Sequence, residues 1–191
     1  MNLYPSSVLK INKDNFNNIS IKERDFVGKI NIRGKSTDKE FMKNVGSVLE
    51  LVLPIEPNVR VSNNNISIIW LSPNEWLIET PKDETEKILT LLQSALNPQK
   101  TAITDVSFNK TILRLEGDLV FTLLSKYLVL NIEEVLKNNY SVAQTIFIKL
   151  PVLLVRNNSD NETTSIDIHL NRSHAKYVYE LLIDGCKILT I

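Results

Sequence analysis

The sequence predicts an α+β chain of two tandem split lobes, each running strand, helix, strand, strand, helix, strand. Short runs in which apolar residues alternate with period two are interleaved with runs in which they recur at helical spacing. The order found from residue 25 onward is repeated from residue 107 onward. Ile30-Asn-Ile-Arg-Gly34 before the first helix is mirrored by Leu113-Arg-Leu-Glu-Gly117, and Leu51-Val-Leu53 after it by Leu128-Val-Leu130. A third observation is Trp70-Leu-Ser-Pro-Asn-Glu-Trp-Leu-Ile78, in which two apolar runs flank a turn. The expected division is an arm over residues 1–24, a ferredoxin-like βαββαβ lobe over 25–106 and a second over 107–191.

The arm carries Pro5, several Asn and Ser, and Ile and Leu without sustained period, so it is expected to drape over something. Phe26 to Arg33 reads as a strand ended by Gly34. Thr37 and Glu40 form a capping box ahead of a helix with the stripe Phe41, Val45, Val48, Leu49 and Val52, which Pro54 and Pro57 stop. The hairpin of residues 66–80 is expected to set Leu71 opposite Trp76. Ile69, Leu71, Trp76 and Ile78 would then share one face, and Ile68, Trp70 and Leu77 the other. A hairpin apolar on both faces is either buried within the chain or covered by a second lobe or partner. Asp83 and Glu86 make a second capping pair before a helix with Ile88, Leu91, Leu92, Ala95 and Leu96, and Thr101 to Val106 closes the lobe.

In the second lobe, Thr111 to Glu116 alternates, Gly117 ends it, and Asp118 is the expected cap of a helix bearing Val120, Leu123, Leu124 and Tyr127. Strands follow near Val142 to Leu150, Val152 to Arg156 and Ser165 to Leu170. Ser173 would cap a last helix through Ala175, Val178, Tyr179 and Leu182, with Gly185 as its C-terminal cap and Lys187 to Ile191 as a final strand.

At 191 residues the chain can bury a core without staples. Lys plus Arg and Asp plus Glu both number 22, and no basic run invites phosphates, so nucleic acid is not an expected partner. The single Cys186 excludes an internal disulfide framework and fits a reducing cytoplasmic setting. No signal peptide and no apolar run of membrane-spanning length is seen, so no membrane association is expected.

Catalysis is not visible in the residues. His169 and His174 have no carboxylate or thiolate at metal-ligand spacing, and His169 reads as a polar position on the wet or interface face of a strand. Asp105 followed by Ser107 reads as a turn, Asp118 as a cap, and Cys186 as a small buried hydrophobe. The five glycines, at 28, 34, 46, 117 and 185, form no nucleotide fingerprint.

Four collinear segments resemble the gamma subunit of heterotetrameric sarcosine oxidase: Trp70 to Ile78, Asp105 to Gly117, Ala143 to Arg156, and Ser165 to Leu182 with Asn171-Arg-Ser173. The chain departs from that family at Lys126-Tyr-Leu-Val-Leu-Asn131, where a Cys and an acidic Leu-Asp-Leu-like run are usual. The family is similar to the tetrahydrofolate-binding module of the glycine-cleavage aminomethyltransferase, itself a duplicated α+β unit. The resemblance implies a cytoplasmic complex that oxidatively demethylates sarcosine to glycine, passing the one-carbon unit to tetrahydrofolate and electrons through flavins to oxygen. It implies FAD, FMN and NAD on the larger alpha and beta subunits, zinc on delta, tetrahydrofolate among the partner subunits, no cofactor on gamma, and gamma packed directly on alpha.

The expectation is therefore a non-catalytic subunit of an oxidoreductase complex, with no catalytic, cofactor-binding or metal-binding residue of its own. Trp70, Trp76 and Arg172 are the expected interface residues, since aromatic and Arg side chains anchor interfaces; ordinary core is the competing expectation for both Trp residues. The alternatives are a stand-alone folate-binding protein of the aminomethyltransferase superfamily and an unrelated adaptor with the same fold.

Overall fold

A computed structural model describes residues 7–9, 13–16, 18–157 and 163–189. The chain divides into two compact units, one of Val27–Ser107 and the other of Met1–Phe26 with Phe108–Ile191.

In the unit Val27–Ser107 the elements are β3 (Gly28–Arg33), α1 (Lys39–Leu49), β4 (Arg60–Ser62), β5 (Ser67–Ser72), β6 (Glu75–Thr80), α2 (Thr85–Ala95) and β7 (Ala102–Asp105). The strands form an antiparallel sheet in the order β4-β5-β6-β3-β7. Without the short edge strand β4 this is the ferredoxin-like order, with β3 and β6 central. Ile30, Ile32, Ile68, Trp76 and Ile78 pack against Phe41, Val45 and Leu49 of α1 and Ile88 and Leu92 of α2.

Local chemistry departs from expectation at three points. The cap of α1 is Asp38 rather than Thr37: its Oδ1 accepts from the N–H groups of Glu40 (3.0 Å) and Phe41 (3.2 Å). The expected Asp83–Glu86 pair does not cap α2, which grows out of a 3₁₀ turn at Lys82–Glu84 without a side-chain cap. Helix α1 stops at Glu50, in the left-handed conformation at φ 54°, so Val52 lies beyond the stripe and is 77% exposed.

The hairpin register also differs. Trp70 pairs with Trp76 and Ser72 with Glu75, because a bulge between Trp70 and Ser72 takes up Leu71. One slipped residue exchanges faces. Trp70 therefore joins Ile68, Trp76 and Ile78 on the core face, while Ile69 and Leu77 occupy the other, where they too are buried.

The second unit holds β1 (Asp14–Phe16), β2 (Ile19–Glu23), β8 (Lys110–Glu116), α3 (Val120–Ser125), α4 (Ile132–Val135), β9 (Val142–Phe147), β10 (Leu150–Arg156), β11 (Ser165–Asn171) and α5 (Ala175–Leu189). The sheet runs β1-β2-β8-β11-β10-β9. Strands β8, β10 and β11 stand where β3, β5 and β6 stand in the first unit. The place beside β8, equivalent to that of β7, is taken by β2 from the segment expected as an arm. Ile19 and Ile21 of that strand are core residues beside Leu113, Leu115, Ile166 and Ile168.

The expected final strand is absent over Lys187 to Leu189, which continue α5; residues 190 and 191 lie outside the described residues. Gly185 is not a cap but an interior residue of that helix. A Cβ there would lie 2.3 Å from Tyr127 Oη, so glycine admits the Tyr127 ring that donates to Leu181 O at 2.6 Å. Asp118 does not cap α3, which starts at Val120 without a side-chain cap. Gly117 at φ 143° passes so close to Asn18 O that a Cβ would sit 1.9 Å from it, which seats the β1–β2 turn against the end of β8.

Candidate functional site

The concentration of charge in the second unit is built across neighbouring strands. Register places Lys22 of β2, Arg114 of β8, Asp167 of β11 and Val155 of β10 in one row. The period of two puts this row on the face opposite Leu113, Leu115, Ile166 and Ile168. Asp167 is 1% exposed. Arg114 grips it as a fork, Nε on Oδ1 at 2.7 Å and Nη2 on Oδ2 at 2.9 Å, and Arg24 Nη1 adds a bond to Oδ2 at 2.8 Å. Burial pushes the Asp167 carboxyl up, yet the Arg114 hydrogen bonds and the charges of Arg24, Arg114 and His169 outweigh it and hold the group below the usual carboxylate range. His169, two residues along the same face, is fully buried, where a wet or interface position was expected.

Glu23, at the end of β2, is a second anchored carboxylate. It accepts from Ser7 Oγ, from the N–H groups of Val8 (3.0 Å) and Leu9 (2.9 Å), and from Thr111 Oγ1 (2.5 Å). Burial raises this carboxyl, and those hydrogen bonds more than offset it, leaving it below its ordinary value. The arrangement ties the N-terminal segment to β8.

An open cleft of about 840 Å³ lies beside the row, lined by Lys13, Asn18, Ser20, Arg114, Glu116 and Ser165 among others. Lys13 of the lining and the neighbouring Lys22 approach Glu116 at 3.4 and 3.8 Å, Arg114 is committed to Asp167, and Asp118 also lines the cleft. Ser107 Oγ donates to Asp105 Oδ1 at 2.5 Å and accepts from Lys29 N at 2.8 Å, as a turn requires. Burial pushes the Cys186 thiol up to about 11, against an opposing pull from Lys126, so it is a poor nucleophile at neutral pH. Among the described residues, no three His, Cys, Asp or Glu side chains converge as a metal site.

The three expected interface residues fall in different settings. Trp76 is fully buried and its Nε1 donates to Pro54 O at 2.8 Å, so it is core and presents no surface to a partner. Trp70 is half-buried against the same core, its backbone N–H bonded to Val59 O and its indole N–H buried without a hydrogen-bond partner among the described residues. Arg172 opens the 3₁₀ turn before α5, half-buried, with its N–H on Asn109 O at 3.1 Å. Trp70 and Trp76 meet across the hairpin, and Arg172 belongs to the other unit. The Arg24–Asp167–Arg114 cluster was missed by sequence reasoning. Its signal was present in Leu113-Arg-Leu and Ile166-Asp-Ile, where charges interrupt apolar alternation at positions of one parity.

Comparison with known proteins places these features in context. A family described as "Sarcosine oxidase, gamma subunit family" matches residues 33–187. A solved heterotetrameric sarcosine oxidase from Corynebacterium sp. U-96 is similar with TM-score 0.81 and 21% identity, over 91% of this chain and 86% of that one. The glycine cleavage system aminomethyltransferase T of Bartonella henselae shares the fold with TM-score 0.65 and 12% identity, over 87% of this chain and 45% of its own. No curated sequence matches the chain.

Proposed function

The chain belongs to the sarcosine oxidase gamma subunit family, and from that membership we propose that it serves as a subunit without chemistry of its own in a heterotetrameric sarcosine oxidase. The family match over residues 33–187 carries the reading. In keeping with it, Ser107 with Asp105 and Arg114 with Asp167 are engaged in structural bonds. The gamma chain packs on the large alpha subunit and stabilises it. The complex converts sarcosine, tetrahydrofolate and oxygen to glycine, methylenetetrahydrofolate and hydrogen peroxide, with the methyl carbon passing to folate and its two electrons to oxygen. Flavins, NAD, tetrahydrofolate and zinc belong to the partner subunits.

The test is co-expression with the genes that neighbour its own. A complex carrying a flavin-containing large subunit is the expected eluate; a chain that elutes alone overturns the proposal. Tetrahydrofolate titrated onto the isolated chain separates the rival. No saturable binding is expected, and micromolar affinity would favour a stand-alone folate-binding protein.

A further inference from the structure

The outermost strand of the six-stranded sheet is held more by polar latches than by burial. β1 meets β2 through three residue pairs, Asp14 with Ile21, Asn15 with Ser20 and Phe16 with Ile19. The chain ahead of it passes Glu23, whose carboxylate accepts from the N–H groups of Val8 at 3.0 Å and Leu9 at 2.9 Å and from the hydroxyl of Ser7. A second latch joins Asp14 of β1 to the phenol of Tyr179 on α5. Burial, with the Asp14 carboxylate behind it, pushes that phenol up to about 12, so it keeps its proton and donates at neutral pH. Hydrogen bonds to a carboxylate are among the stronger ones, and both latches are of that kind. The Lys13–Glu116 ion pair, between partly exposed side chains, adds little.

The apolar hold on this segment is weaker. Val8, Leu9 and Phe16 are only partly buried against the core, whereas Ile19 and Ile21 of β2 are 2% and 0% exposed. β2 is fastened besides by four residue pairs along β8 and by the Arg24 N–H on Ile112 O at 2.9 Å. Segments with few buried apolar contacts open locally, at a lower free energy than the fold as a whole. We propose that residues 7–9 and 13–16 form a strap over the outer edge of β2, latched by Glu23 and Asp14, that opens and recloses while β2 stays paired to β8. Closed, the strap pairs an edge that would otherwise be bare to other chains.

Amide hydrogen exchange of the full chain, read residue by residue by NMR, tests this. The Val8 and Leu9 amides are expected to exchange at least about tenfold faster than the Arg24 amide, and at least about tenfold slower than in an unstructured peptide. Glu23→Gln keeps the shape and withdraws the charge. It is expected to speed Val8 and Leu9 by about tenfold, while Arg24 changes by less than about twofold. Because Glu23 also accepts from Thr111 Oγ1, Tyr179→Phe provides an independent release: it removes the Asp14 latch alone and is expected to speed the β1 amides with Arg24 again unchanged. Exchange of Val8 and Leu9 at the Arg24 rate would show that the segment opens only with the whole fold, and exchange at the peptide rate that it is never latched; either result overturns the proposal. So does a variant of either kind that leaves its strap amides unchanged or speeds Arg24 equally.

Discussion

Asp167 shows what one carboxylate costs and returns in this fold. It lies 1% exposed in β11 with guanidinium groups of Arg114 and Arg24 on both oxygens. Replacing such a buried pair wholesale by apolar residues can be neutral, but removing one partner strands the other. Asp167→Asn keeps the shape and removes the charge, and is expected to destabilise the chain by about 3–5 kcal/mol. The pH dependence has a definite sign. The folded group titrates below its unfolded value near 4, so its contribution is fully present above that pH and lost as pH falls through the folded pKa. Urea midpoints between pH 6 and pH 3 are therefore expected to fall less steeply for the Asn variant than for the wild type. Parallel acid limbs would show that Asp167 does not carry the effect.

At the scale of elements, Gly185 separates local propensity from packing. Glycine inside a helix costs about 1 kcal/mol relative to alanine, so Gly185→Ala would ordinarily stabilise α5. Here the new methyl would meet Tyr127 Oη at 2.3 Å and Leu123 Cδ1 at 2.7 Å, forcing the phenol off Leu181 O and out of its stack on Phe147, 4.9 Å between centroids. A net loss of about 1–3 kcal/mol is expected in chemical denaturation, and a gain would refute this account. The same residue explains a misread element. Gly185 followed by Cys-Lys-Ile-Leu has the signature of a helix end and a strand, and only Tyr127, 58 positions earlier, makes glycine necessary mid-helix. Leu71 was unreadable for a similar reason, since a bulge is settled by which indole the core accepts. Asp38 and Thr37 are both good caps, and the sequence alone does not choose between them.

At the scale of the whole molecule, the second unit is completed by the chain's own beginning. Strand β2 buries Ile19 and Ile21 and pairs along β8 from Ser20 to Glu23. Burying each isoleucine is worth about 1.5–3 kcal/mol, a large share of the 5–15 kcal/mol typical of a whole domain. Deletion of residues 1–24 would also bare the edge of β8. The truncated chain is expected to lose soluble yield and its cooperative thermal transition, with partial recovery when a peptide of residues 7–24 is supplied. A soluble truncated chain with an unchanged midpoint would show that β2 is dispensable.

Periodicity alone determined the α+β class, the tandem repeat and, Val52 and Leu91 excepted, the stripes that α1, α2 and α5 turn to the core, because helices and strands write their apolar faces at fixed spacings along the chain. The resemblance to the gamma subunit family was likewise legible in collinear segments. Tertiary structure decided where long-range partners meet: the N-terminal strand beside β8 where a C-terminal one was expected, the ion-paired cluster of Arg24, Arg114 and Asp167, and the burial of Trp76 with its indole N–H on Pro54 O. Residues 20, 116 and 165 become neighbours only when strands align, and no local pattern records which strand a strand will choose.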